Sequence, residues 1–300
     1  MNRTDILKTI LNNKSGITDK SAMVYVASLA SLAKALDFKD EKLFTTKPKE
    51  IITYLDTLTP ARSKSMLSAL LAIVTNKKVV DVYKKKMATI SDVVRAEDEK
   101  QEKTDKQEEN WMSWNDVMKL YKELEDEATP LFKKDKLNAQ HMKTLQNYVI
   151  LSMYVLIPPR RIADYTNFKT KTKDINKKED NYYDDESHEL VFNSYKTAKN
   201  YGTQKVDCPV ALREVFQKWF PISQKYSDYL LFNSYGSHLA QPQLTKMINN
   251  IFGKKISASM LRHIYVSDVV LKNVPKMDDL KQVASDMGHS IGEQMLYKKF

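Results

Sequence analysis

The sequence predicts a mainly α-helical protein with one small β-sheet, arranged as a helical N-terminal domain followed by a larger mixed domain. Three observations lead there. Residues 1–95 repeat apolar positions at helical spacing behind recognisable helix starts. Residues 166–210 switch to strand formers interrupted by a turn signal. Between them, residues 96–110 (AEDEKQEKTDKQEEN) contain no large apolar side chain. That stretch cannot build a core and reads as a charged linker or a solvated helix.

In the first domain, Thr18 or Asp19 can cap a helix whose inward stripe is Tyr25, Leu29, Leu32 and Leu36. Residues 49–58 (KEIITYLDTL) make a short helix. Thr59 followed by Pro60 is a second start, because proline at the first helical position gives up an amide that has no partner there. Met66, Leu67, Leu70, Leu71 and Val74 then form the inner face. The second domain, residues 111–300, opens with helices at 114–126 and 138–157. The run YVILSMYVLI (148–157) is too short to span a bilayer, ends at Pro158-Pro159, and reads as a buried helix. HELVFNSYK (188–196) and TQKVDCPV (203–210) read as strands joined through the turn signal Asn200-Tyr201-Gly202, with a third strand expected near 165–173. Beyond Val210 the pattern is helical, with a loop around Asn233–Gln243.

Charge is uneven. The 48 Lys+Arg exceed the 38 Asp+Glu by ten, which favours a polyanionic partner, nucleic acid before an anionic membrane surface. Cys208 is the only cysteine, so no internal disulfide forms and a reducing, intracellular setting is expected. The N-terminal MNRTDILKTI lacks the apolar core of a signal peptide, and a soluble protein is expected.

Several polar groups invite chemistry. Arg160 and Arg161 follow the prolyl stop; taken alone, such a pair is a solvated turn. Lys196, Lys199 and Lys205 surround the hairpin turn, where lysines commonly serve solubility alone. Arg262 and His263 lie in an apolar helical pattern in which Leu261, Ile264 and Tyr265 face inward. Arg262 therefore needs an anionic partner, an internal carboxylate or a phosphate. His289 has no His, Cys or carboxylate at metal-ligand spacing, and six glycines leave little room for a phosphate-cradling loop. Neither metal nor cofactor is expected. Two arginines, a lysine, a histidine and Tyr297 make a metal-free set for a phosphodiester: arginines for the nonbridging oxygens, lysine as acid, tyrosine as nucleophile.

The order and spacing of Arg-Ile-Ala-Asp (161–164), Lys-Thr (196–197), Leu-Arg-His (261–263), Gly-His-Ser (288–290) and Tyr297 resemble the tyrosine recombinase (phage integrase) family over residues 111–300. The resemblance implies that Arg161, Lys196, Arg262, His289 and Tyr297 are catalytic, and that Asp164 orients the arginines. It implies a core-binding domain at 1–95, double-stranded DNA as partner, four protomers on synapsed sites, and strand exchange through a 3′-phosphotyrosine without ATP or metal. The wording looks most like recombinases of mobile elements or large DNA viruses, acting wherever their DNA lies: nucleus, cytoplasm or viral factory. Two departures stand out. The family usually places His or Lys three residues before the second arginine, where this chain has Ser259; His263, or a water held by Ser259, would substitute, or the arginines alone would suffice. Relatives also often carry a docking helix after the tyrosine, whereas only Lys298, Lys299 and Phe300 follow Tyr297; either the tyrosine helix itself docks or the sequence is a piece of a longer product. A type IB topoisomerase shares this chemistry, and a recombinase-derived DNA-binding protein without activity is the remaining alternative.

Overall fold

A computed structural model describes residues 2–170, 175–287 and 291–292. The chain is mainly α-helical with one four-stranded sheet. Its contacts divide it into two units, one built from Met1–Glu102 with the described residues from Pro275 onward, the other from Lys103–Val274.

The first unit contains α1 (Arg3–Asn13), α2 (Asp19–Ala35), α3 (Leu43–Thr46), α4 (Pro48–Leu55), α5 (Pro60–Ile73) and α6 (Lys77–Glu99). Local chemistry sets the starts. The side chains of Asn2, Thr18 and Asn76 accept backbone N–H groups of the first turn of α1, α2 and α6, while proline opens α4 and α5. The buried stripe of α2 is Ala22, Val26, Leu29, Leu32 and Ala33. Tyr25 and Leu36, expected inward, lie at its margin, because the small alanines let α1 and α5 pack close on that side. Tyr83 is the one fully buried side chain of α6, and its hydroxyl donates to the Phe44 carbonyl at 2.6 Å. Burying each large aliphatic residue of this core contributes about 1.5–3 kcal/mol.

The stretch 96–110 is helical through Glu99 and again in α7 (Asp105–Asn110), where Thr104 and Gln107 cap each other's backbone amides. Asn110 is buried despite its polarity, since its side-chain oxygen accepts the Lys255 N–H at 2.9 Å.

The second unit continues with α8 (Trp114–Ala128), α9 (Ala139–Val155) and α10 (Ile162–Thr166), the strands β1 (Phe168–Lys169), β2 (Asn181–Asp184) and β3 (Glu189–Phe192), α11 (Ala198–Tyr201), β4 (Gln204–Asp207), α12 (Val210–Ser223), α13 (Gln241–Phe252) and α14 (Ala258–Tyr265). α9 buries every residue from Tyr148 to Tyr154 and packs against α8, α12 and α13, so it forms the axis of this core. The sheet runs β1-β2-β3-β4; β1 and β2 pair in parallel, the others antiparallel. Two expectations need correction. The strands of the hairpin are shorter than 188–196 and 203–210, because residues 193–203 form a loop holding the helical turn α11, closed at Gly202 with φ +66°. β2 was not foreseen: its sequence Asn-Tyr-Tyr-Asp follows a polar, lysine-rich stretch and carries only four residues of pattern. The last described helix, α15 (Met277–Asp286), belongs to the first unit, where Lys281 pairs with Glu99 at 2.8 Å and Gln101 accepts the Met277 N–H at 2.7 Å.

Candidate active site

The two adjacent arginines part company. Residue 161 is the extended N-cap of α10 (φ −71°, ψ 150°), and successive side chains along extended backbone point to opposite sides. Arg160 turns inward. Its Nε donates to Asp164 Oδ2 at 3.0 Å, a guanidinium NH₂ donates to Gln204 Oε1 at 2.9 Å, and the planar group lies 3.8 Å from the centre of the Phe192 ring. Arg160 thus ties the start of α10 to β3 and β4. Arg161 is half-buried; its carbonyl accepts the Asp164 N–H at 3.0 Å, and its side chain makes no hydrogen bond or ion pair among the described residues.

Asp164 is buried, with Oδ2 on Arg160 and Oδ1 without a hydrogen-bond partner among the described residues. Burial raises its carboxyl pKa above the ordinary range; the positive charges of Arg160, Arg161 and Arg262 each pull it back down. The fold therefore brings Arg161 and Arg262, about a hundred positions apart in the chain, into the field of one carboxylate.

Arg262 reaches this place on α14. Ser257 caps the helix by accepting the Met260 N–H, and Leu261 and Ile264 are fully buried. Tyr265 stacks edge-on against Trp114 at 5.1 Å, and the Asp268 carboxylate accepts the Trp114 N–H at 2.9 Å, fixing the far end of the helix on α8. Arg262 is half-buried and its side chain has no hydrogen-bond partner among the described residues. Ser259 and His263 are exposed at positions three before and one after it, so all three share one helix face.

Lys196 is exposed in the loop between β3 and β4 and is also without an internal partner among the described residues. Lys205, the hairpin lysine that lies on a strand, pairs with Glu189 at 2.6 Å. The loop is held by groups that sequence reading missed. Tyr195 donates its hydroxyl to the Gly202 carbonyl at 2.8 Å, Thr203 donates to Asn193 Oδ1 at 2.6 Å, and Asn193 donates to the Asp180 carbonyl at 2.7 Å. At the centre sits Asn181, 1% exposed. Its amide donates to the Asp164 and Ser194 carbonyls at 2.9 and 2.8 Å, and its oxygen accepts the Asn193 and Ser194 N–H groups, both at 2.8 Å. Nothing in the sequence sets Asn181 apart from the other polar residues of this stretch.

His289 and Tyr297 lie outside the described residues. Cys208 is buried and its thiol pKa is pushed up to about 12 by desolvation, which argues against a role as nucleophile. Among the described residues no cluster of His, Cys, Asp and Glu is placed to hold a metal ion, and no helix is long and apolar enough to cross a membrane.

No protein-family model matches the chain, and no curated protein matches it. Among solved structures it is similar to the crystal structure of XerA recombinase, at a TM-score of 0.38 and 12% identity, over 99% of this chain and 94% of that one. A likeness at that level supports no residue assignment, so the functional reading has to stand on the side chains themselves.

Proposed function

We propose that the protein is a DNA strand-transfer enzyme of the tyrosine recombinase kind, a site-specific recombinase or integrase. One observation carries the reading: Arg161 and Arg262 both act electrostatically on the buried Asp164 while, among the described residues, neither side chain has a hydrogen-bond partner, and Arg160, the one of the three that does, supports the fold. Two half-buried guanidinium groups with free donors suit the nonbridging oxygens of a phosphodiester.

In this reading Tyr297 Oη attacks phosphorus and a phosphorus–oxygen bond to the tyrosine forms. The bond to the 5′-oxygen breaks, and Lys196 Nζ gives that oxygen its proton. Arg161 and Arg262 bind the nonbridging oxygens and stabilise the charge gained in the transition state. His289 hydrogen-bonds the same phosphate. The tyrosine proton leaves through His263, through a water on Ser259, or directly to solvent aided by the arginines. A 5′-hydroxyl of the partner duplex then reverses the sequence, and the phosphotyrosine conserves the bond energy. Double-stranded DNA, four protomers per synapse and an intracellular site of action belong to the same proposal.

Ser259, standing where a proton acceptor is usual, favours a second reading in which the chain binds DNA without cleaving it. A library of nicked duplexes of randomised sequence separates the two. The recombinase reading expects a covalent protein–DNA adduct on denaturing gels that is lost in Tyr297→Phe. Binding without any adduct supports the second reading. Relaxation of supercoiled plasmid regardless of sequence would instead indicate a topoisomerase.

A further inference from the structure

Resting on the strand-transfer chemistry above, we infer that Asn181 is a positioning residue that ties the loop carrying Lys196 to the segment carrying Arg161 and Asp164. The side chain uses its full hydrogen-bonding capacity, two donors and two acceptors. One donor holds the carbonyl of Asp164, whose carboxylate pairs with Arg160 and feels the charges of Arg161 and Arg262. The other three bonds hold the backbone of residues 193 and 194, two positions before Lys196. Arg161 and Lys196 belong to segments far apart in sequence, and this one amide fastens the backbone of one segment to that of the other.

The remaining bonds of the loop close it on itself. Tyr195 to Gly202 and Thr203 to Asn193 fix its two sides, and Asn193 ties it to residue 180 beside the strand that carries Asn181. The backbone at Lys196 is therefore anchored, while the lysine side chain remains exposed and able to reach a bound phosphate. A general acid must lie within hydrogen-bond reach of the atom it protonates, so a loop displaced by about an ångström costs rate without removing any catalytic group. Asn181 itself is 1% exposed, within an inner strand of the sheet, and need not touch DNA to act.

The test uses the full chain and the nicked duplex that gives most adduct, once with the normal 5′-bridging oxygen and once with sulfur there. A thiolate leaves without a proton, so the sulfur substrate bypasses Lys196 alone. Asn181→Ala should form adduct about 10²-fold more slowly on the oxygen substrate and within about threefold of the wild type on sulfur, since general acid catalysis is worth about 10²–10⁴-fold. Combined with Lys196→Ala it should be no slower on oxygen than Lys196→Ala alone, because both remove the same proton transfer. Asn181→Ser, which keeps a hydroxyl but cannot span the four bonds, should repeat the pattern and serves where the alanine variant fails to fold. A folded Asn181 variant equally slow on both substrates, or additive with Lys196→Ala, overturns the positioning role. If the wild type forms no adduct on either substrate, the strand-transfer reading falls first, and the inference with it.

Discussion

Arg160 Nε lies 3.0 Å from Asp164 Oδ2, one turn apart at the start of a short helix, and this pair takes the inward place that Arg161 would otherwise compete for. Arg160 is held on three sides, by a carboxylate, an amide and an aromatic face. Its neighbour Arg161 is left with five donors and no side-chain partner for them among the described residues.

The two arginines should therefore fail in different ways. Arg160→Ala strands a buried carboxylate, and breaking such a pair costs about 3 kcal/mol. The expected result is a clear drop in the denaturant midpoint. Arg161→Ala should leave the unfolding free energy within about 0.5 kcal/mol of the wild type and reduce adduct formation by about 10²-fold or more. Urea titrations alongside adduct assays check both; an Arg161 variant as destabilised as the Arg160 one would mean that the assignment of the pair is reversed.

Asp164 gives a pH prediction. Its carboxyl pKa is raised by burial, so the folded protein holds that proton more tightly than the unfolded chain. This contribution to stability is fully present below the unfolded value of about 3.9 and is lost as pH rises through the higher folded value. Asp164→Asn resembles the neutral acid. Relative to the wild type it should gain stability as pH rises from about 4 towards neutrality, while adduct formation falls because the arginines lose the charge that orients them. Melting curves across that pH range test the first part; a variant that loses stability relative to the wild type over the same range would contradict it.

The sequence drew attention to the arginine and lysine positions because each lies in a short local pattern: Arg161-Ile162-Ala163-Asp164, Lys196-Thr197, Leu261-Arg262-His263. Helix starts at Thr18 and Pro60 were legible for the same reason, since a cap is decided by three or four adjacent residues. What escaped was non-local. The division of labour between Arg160 and Arg161 depends on Phe192 and Gln204, which only the fold brings alongside. Asn181 reads as one more polar residue until its four partners are seen. The long helix α6 carries a narrow apolar trace, Val79, Val80, Tyr83, Met87 and Ile90, among lysines, and only Tyr83 is fully buried.

The net charge of +10 bears on binding. Each phosphate contact releases condensed counterions, so log affinity for duplex DNA should fall linearly with log salt, by about 0.9 per phosphate neutralised. Arg161→Ala and Arg262→Ala should each lower that slope by about 1. Fluorescence anisotropy between low and physiological salt measures it, and an affinity insensitive to salt would count against a phosphate-binding surface.

Whether Tyr297 attacks DNA is decided by locating the protein–DNA bond. Adduct trapped on the nicked duplex is digested with nuclease and trypsin and read by mass spectrometry. The expected result is a nucleotide remnant on the peptide that follows Lys281 and carries Tyr297, joined through a 3′-phosphate. A remnant on the peptide carrying Tyr265 instead, or a 5′-linked phosphate on any residue, would contradict it.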